Sequence, residues 1–300
     1  MEAANSRSLQ FPSCINTANR LPRSIGSMNF PKRYSEHESS PISVSCHFQP
    51  IKATSRHRLA LLTASCSSQN TQASVLQSES PLPSLDEAQV LKSKSGEILP
   101  YLSGRCIYLV GMMGSGKTTV GRIIAEALNY TFFDCDTLIE QATGGTKVSE
   151  IFKIHGEGFF RNNETEVLRK LSLMRQIVVS TGGGAVVRPI NWKYMHKGIT
   201  LWLDVNVEAL ARRISSVGTG SRPLLHNESG DIYANTLKRL STLLAERGDA
   251  YANATARVCL ENIAAKRGYG DICNITPTEI AIEALEELEN FLKKESGEVQ

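Results

Sequence analysis

The run Gly111-Met112-Met113-Gly114-Ser115-Gly116-Lys117-Thr118-Thr119 fits the pattern G-x-x-x-x-G-K-[ST]. Glycines at such a turn let the backbone wrap closely, so that successive N–H groups face phosphate oxygens. A helix that starts there adds the positive end of its dipole. In this pattern Lys117 reaches the β- and γ-phosphates of ATP, and the Thr118 hydroxyl binds Mg²⁺. The context fits as well. Cys106 to Val110 reads as a buried strand, and Val120, Ile123, Ile124, Ala127 and Leu128 then recur at helical spacing. Strand, glycine loop and helix together distinguish a phosphate cradle from a plain glycine-rich turn. All nine residues from Gly111 to Thr119 are expected to contact ATP.

A phosphate cradle does not name a second substrate. In open α/β sheets, ligands sit beyond the carboxyl ends of the strands, so the residues that follow each strand are informative. Asp134 and Asp136 follow the second strand. Two carboxylates at i and i+2 can divide labour, one holding the metal and one accepting a hydroxyl proton. The alternative is that Asp136 only caps a helix beginning at Thr137. Gly182, Gly183 and Gly184 follow the third strand and allow close backbone approach to a ligand. Many P-loop enzymes carry a magnesium-binding Asp at that strand end. None is present here, and Asp134 could supply the charge instead.

Arg161 ends the segment Gly156-Glu157-Gly158-Phe159-Phe160-Arg161. Its guanidinium fork suits a carboxylate, and the alternative is an arginine facing solvent from a helix. Gly218-Thr219-Gly220-Ser221-Arg222-Pro223 reads as a mobile lid carrying a cation, or else as an ordinary surface loop. Arg247 lies in a helix expected to fold back over the site.

Five short strands positioned near Cys106, Thr131, Ile177, Thr200 and Arg257 alternate with helical patterns. Buried strands between helices imply a parallel sheet covered on both faces. Thr276-Pro277-Thr278-Glu279 is a capping box with proline at the first helical position, a structural signal for the last helix.

The chain has 33 basic and 30 acidic residues, unevenly spread. Residues 1–70 hold eight Lys/Arg and three Glu, leaving 25 basic and 27 acidic groups in the remainder. A slightly acidic body offers no electrostatic footprint for nucleic acid. No apolar run reaches the roughly 18 residues of a membrane helix, so no membrane partner is expected.

The leader is rich in serine, poor in acid and dotted with Arg and Lys, the composition of an organelle transit peptide. Its sparse arginine favours a plastid over a mitochondrion. The expected organisation is a plastid transit peptide over 1–66, a linker over 67–102 with a short helical pattern from Leu85 to Leu102, and a catalytic domain over 103–296. The seven cysteines form no C-x-x-C pair and read as reduced thiols. The sequence sets no oligomeric state beyond monomer or weak dimer.

GMMGSGKTT, FFDCD, GEGFFR, STGGG and SRPLL occur in one order between about Arg105 and Asn290, with AERGDAY as a weaker sixth element. Together these segments resemble shikimate kinase, and the leader resembles that of the plant plastid members. The resemblance implies a P-loop NTPase-like α/β fold of the nucleoside monophosphate kinase kind, three layers about a five-stranded parallel sheet. It implies transfer of phosphate from ATP to the 3-hydroxyl of shikimate in the chloroplast stroma, with Mg²⁺ as cofactor and shikimate and ATP as the small-molecule partners.

By the family pattern, Lys117, Asp136 and Arg222 are catalytic, with Arg222 also at ATP. Asp134 joins Thr118 at the metal. Asp136, Arg161, Gly182, Gly183, Gly184 and Arg247 bind shikimate. An adenine-binding loop is expected after the fifth strand, near Glu261 to Gly268. Two other readings remain at this stage: another small-molecule P-loop kinase, or a kinase-like binding protein that has lost its activity.

Overall fold

A computed structural model describes residues 85–218, 223–225 and 231–297. The expected transit segment, the first part of the linker and the lid arginine Arg222 lie outside the described residues.

Every residue of β1 (Ile107–Val110) and β3 (Ile177–Ser180) is buried. Their sequences, IYLV and IVVS, are apolar without alternation because a central parallel strand is covered on both faces. β2 (Thr131–Asp134) and β5 (Ala256–Cys259) are partly exposed and form the two edges. β4 (Ile199–Asp204) completes the sheet, in the order β2-β3-β1-β4-β5. All four pairings are parallel, with Ile107 opposite both Val178 and Ile199.

β1 leads through α2 (Lys117–Leu128) to β2 on one side of the sheet, whereas β3 leads through α5 (Pro189–Met195) to β4 on the other. The chain leaves the two neighbouring strands in opposite directions. That divergence opens a crevice beyond their carboxyl ends, where an α/β sheet takes its ligands.

α3 (Cys135–Ala142) and α4 (Val148–Leu171) connect β2 to β3, and α4 is broken at Gly156, whose φ of 78° is non-helical. α6 (Val207–Val217) and α7 (Ile232–Tyr251) pack together between β4 and β5. α8 (Leu260–Arg267) follows β5. α9 (Pro277–Ser296) opens with the expected capping box: Thr276 Oγ1 accepts from Glu279 N at 3.1 Å, and Thr276 N donates to the Glu279 carboxylate at 2.8 Å. Trp192 and Trp202 act in packing. The Trp192 indole donates to Val186 O at 2.9 Å, and Trp202 of β4 stacks on Tyr251 of α7.

The helical pattern ahead of the body is present as α1 (Leu85–Leu102). It packs against α9 and α2, with Ile98 and Leu102 fully buried. Lys94 pairs with Glu289 at 3.1 Å, and Arg105, just past the helix, pairs with Glu295 at 2.7 Å. The compact unit therefore includes this helix. Cys106, Cys135, Cys259 and Cys273 are free thiols, and burial raises the Cys135 pKa well above its usual value.

Ile98→Ala should lower the unfolding free energy by about 2–5 kcal/mol, the usual cost of emptying a closed core position. Urea denaturation of the full chain measures this. An unchanged midpoint would mean that α1 is only a tether.

Candidate active site

The loop between β1 and α2 is shaped by its glycines. Gly111 sits at φ +147°, and a Cβ there would lie 2.6 Å from Leu203 O. Gly116 caps α2 at φ 94° with no side-chain hydrogen bond, so no side chain covers the first-turn N–H groups of the helix. Lys117 is buried, and its ammonium donates to Gly111 O at 2.8 Å and Met112 O at 2.9 Å. The charge is thus held at the loop itself, where a polyphosphate would meet it.

Thr118 Oγ1 donates to Asp134 Oδ2 at 2.8 Å and lies 3.3 Å from Ser180 Oγ. One carboxylate and two hydroxyls from three elements form a hard-oxygen cluster beside the phosphate loop. Mg²⁺ suits such a set, because it keeps several waters and is usually completed by substrate phosphates. The described residues contain no group of three or more His, Cys, Asp or Glu that would hold a metal without the nucleotide.

The two aspartates are separated by their surroundings. Asp134 Oδ1 accepts from Thr137 N at 3.2 Å, so the helix cap considered for Asp136 belongs to Asp134. Asp136 lies in the first turn of α3. Its Oδ1 is buried with no hydrogen-bond partner among the described residues. Burial pushes this carboxyl up to about 7, reinforced by the charges of Asp134 and Glu164 and opposed by Lys117 and Arg161.

Arg161 is buried rather than solvent-facing. It donates to Glu164 Oε2 at 2.8 Å and to Glu157 Oε1 at 3.0 and 3.1 Å. The glycines after β3 press directly on this arrangement. A Cβ on Gly182 would overlap Glu164 Oε1 and come within 3.2 Å of Asp136 Oδ1, and one on Gly184 would overlap the Arg161 guanidinium. Arg247, on α7, is also buried, and its Nη1 donates to Gly183 O at 3.4 Å.

One cavity of about 800 Å³ is lined by Met113, Gly114, Gly116, Lys117, Thr118, Thr119, Asp134, Asp136, Arg161, Gly182, Gly183, Gly184 and Arg247. Ser115 is buried within the loop itself, its Oγ 3.5 Å from the Lys117 ammonium. Arg222 falls outside the described residues, and the adjoining turn brings Leu224 to the same cavity. The segment expected to form an adenine loop is α8, closed by Gly268 in the left-handed conformation, and none of it lines the cavity.

Sequence reasoning missed three residues. Glu164 follows Arg161 by three positions on the same helix face, a spacing that could have suggested an ion pair. Its carboxyl is raised by burial, although Arg161 opposes the shift. Ser180 occupies the strand end where an acid was sought and offers a hydroxyl instead. Tyr251 follows Arg247 by four positions, and its hydroxyl donates to Gly183 O at 2.5 Å.

A five-stranded parallel sheet, a phosphate loop, a carboxylate pair and two buried arginines around one crevice define a P-loop small-molecule kinase. Residues 113–289 match the shikimate kinase family. The chain is 60% identical over 299 residues to "Shikimate kinase, chloroplastic" of Solanum lycopersicum, covering 100% of this chain and 99% of the relative. It is 55% identical over 303 residues to "Shikimate kinase 1, chloroplastic" of Arabidopsis thaliana, covering 98% and 97%. The crystal structure of shikimate kinase from Bacteroides thetaiotaomicron aligns with a TM-score of 0.51 at 30% identity, covering 61% of this chain and 97% of that one. This chain belongs to the shikimate kinase family.

Glu164→Ala should destabilise the protein by about 3 kcal/mol, because it leaves a buried guanidinium short of its partner. Urea unfolding reads this directly. A loss below about 1 kcal/mol would mean that water already reaches the pair.

Proposed function

We propose that the protein transfers the γ-phosphoryl group of ATP to the 3-hydroxyl of shikimate, releasing ADP and shikimate 3-phosphate. The observation that carries this reading is the meeting, in one cavity, of Lys117 and Thr118 with Asp136, Arg161 and Arg247. Shikimate bears one carboxylate and three hydroxyls. Two arginines, one aspartate and a glycine backbone form a complementary set.

In this reading Lys117 and the loop amides hold the β- and γ-phosphates. Arg161 and Arg247 clamp the carboxylate, and backbone groups of Gly182, Gly183 and Gly184 border the sugar-like ring. Asp136, whose Oδ1 is buried and unpartnered, orients the attacking hydroxyl and takes its proton as the new P–O bond forms. The bond from phosphorus to the β-phosphate bridging oxygen breaks, and ADP leaves. Mg²⁺, held by Thr118 and Asp134, would neutralise charge on the phosphate oxygens. Arg222 would add a further positive charge from the lid.

Phosphoryl transfer needs positioning and charge neutralisation more than covalent chemistry, and the residues are of that kind. A kinase-like binding protein without activity would be expected to lack some of these groups, and every one is present in the sequence. The relatives are chloroplastic by name, and with the transit-like leader this supports a plastid protein, which we place in the stroma.

The deciding experiment is ADP release by the full chain with ATP and magnesium, with and without shikimate. Release that depends on shikimate is the expected result. ATP turnover indifferent to shikimate would remove the reading. Absence of turnover, with the fold intact by circular dichroism, would leave a nucleotide-binding protein with another ligand.

Arg161→Ala should weaken shikimate binding by about 2–5 kcal/mol, thirty-fold or more, the typical cost of truncating a buried charged partner. The KM for ATP should stay within about twofold. Equal losses for both substrates would take Arg161 out of the clamp.

A further inference from the structure

The Gly183 carbonyl is gripped by two donors from one face of α7. The Tyr251 hydroxyl donates to it at 2.5 Å and Arg247 Nη1 at 3.4 Å. The same hydroxyl lies 3.4 Å from Met112 Sδ, in the phosphate loop. Tyr251 is fully buried, and its ring stacks on Trp202 of β4 with centroids 5.8 Å apart and planes 14° apart. The ring thus packs on the central sheet while its hydroxyl reaches the two loops. Burial pushes the phenol up to about 12, so it remains a donor through the neutral range.

The peptide that follows Gly183 is planar and trans. Holding its oxygen therefore holds the Gly184 N–H, which points the opposite way. That N–H has no acceptor among the described residues. Gly184 itself stands against the Arg161 guanidinium. A glycine-rich loop has many accessible orientations, and its own sequence does nothing to select one.

We propose that Tyr251 is a positioning residue: its hydroxyl locks the Gly183–Gly184 peptide, and with it the Gly184 N–H beside Arg161, in register with the phosphate loop at Met112. This rests on the shikimate kinase reading and deepens it. The tyrosine touches neither substrate in this scheme. It acts by setting the acceptor loop at a fixed place relative to the nucleotide loop, so that both substrates meet in line.

The test is Tyr251→Phe, which keeps the stacked ring and removes only the hydroxyl. Steady-state kinetics, ATP binding without shikimate and thermal melting are measured beside the wild type and Trp202→Phe. The melting temperature of Tyr251→Phe should fall by no more than about 4 °C, as for one lost hydrogen bond in a domain of this size. ATP affinity should stay within about twofold. kcat/KM for shikimate should fall about tenfold to a hundredfold, as expected for a misplaced reacting pair. Trp202→Phe loosens the ring packing but retains the hydroxyl. It should lower the melting temperature and leave kcat/KM for shikimate within about threefold of wild type, a change worth only about 0.7 kcal/mol.

An unchanged kcat/KM in Tyr251→Phe, with active wild type, overturns this proposal and leaves the kinase reading standing. Parallel losses for ATP and shikimate that track the melting temperature in both variants also overturn it, since they mark Tyr251 as packing only. A wild type without shikimate-dependent turnover sinks the kinase reading and this proposal with it.

Discussion

The buried pair of Arg161 and Glu164, pressed beneath the glycines that follow β3, is the contact on which the site depends. A guanidinium taken out of water is costly unless its donors are used. Here Glu164 uses one of them at 2.8 Å, and Glu157 takes two more from the more exposed side. With the charge thus compensated, the arginine can stand at a cavity wall in one orientation. The pair also dictates what covers it. Gly182 and Gly184 approach so closely that any side chain would strike the carboxylate or the guanidinium. The glycines are therefore steric requirements of the ion pair as much as flexible loop residues.

This explains why some of the site could be read from the sequence and some could not. The phosphate loop is local: its glycines, its lysine and its threonines lie within nine residues, and strand and helix patterns flank it on both sides. The parallel sheet was legible for a similar reason, because β1 and β3 are continuous apolar runs that only full burial explains. Arg161 was visible as a residue type, but its burial was not, since the broken helix α4 has no clear apolar stripe to orient it. Glu164 and Tyr251 needed contacts across the fold. The tyrosine meets Gly183, 68 positions away, and Met112, 139 positions away. No spacing rule reaches so far. The assignment of the α3 cap to Asp134 instead of Asp136 turned on a shift of two residues in the helix start, where boundaries are least legible.

The same geometry separates the surroundings of the two aspartates. They lie two positions apart, one at the end of a strand and one in the first turn of a helix, and so point into different surroundings. Asp134 is partly exposed and bound to Thr118 Oγ1 and Thr137 N. Its two oxygens are thereby fixed by two elements, α2 and α3. Asp136 has one oxygen shut off from solvent and unpartnered, and its carboxyl is held up by desolvation. Such a group is expensive to keep unless a substrate hydroxyl completes its hydrogen bonding. Divergent environments for neighbouring carboxylates are a general route to distinct roles from one residue type.

The charges around the cavity have a further consequence. Among the described residues, Lys117, Lys147, Arg161 and Arg247 line the cavity with Asp134, Asp136 and Glu140, and Glu164 pairs with Arg161, so four cations and four carboxyl groups are matched before any ligand enters. Two of these cations are already engaged with backbone carbonyls, Lys117 with the phosphate loop and Arg247 with Gly183. Bound phosphates and a carboxylate would draw the same cations toward themselves, exchanging neutral acceptors for charged ones, which are roughly twice as strong partners. Donors already held in place lose little freedom in that exchange, so more of the interaction remains for orienting the reacting groups. Matched internal charge also limits what the site can attract. An uncharged sugar would leave Arg161 with the carboxylates it already has, whereas a hydroxylated acid offers it another in a geometry that the glycine loop leaves open. In the proposed reading, selection of a carboxylate-bearing alcohol would follow from a site that is balanced yet incomplete.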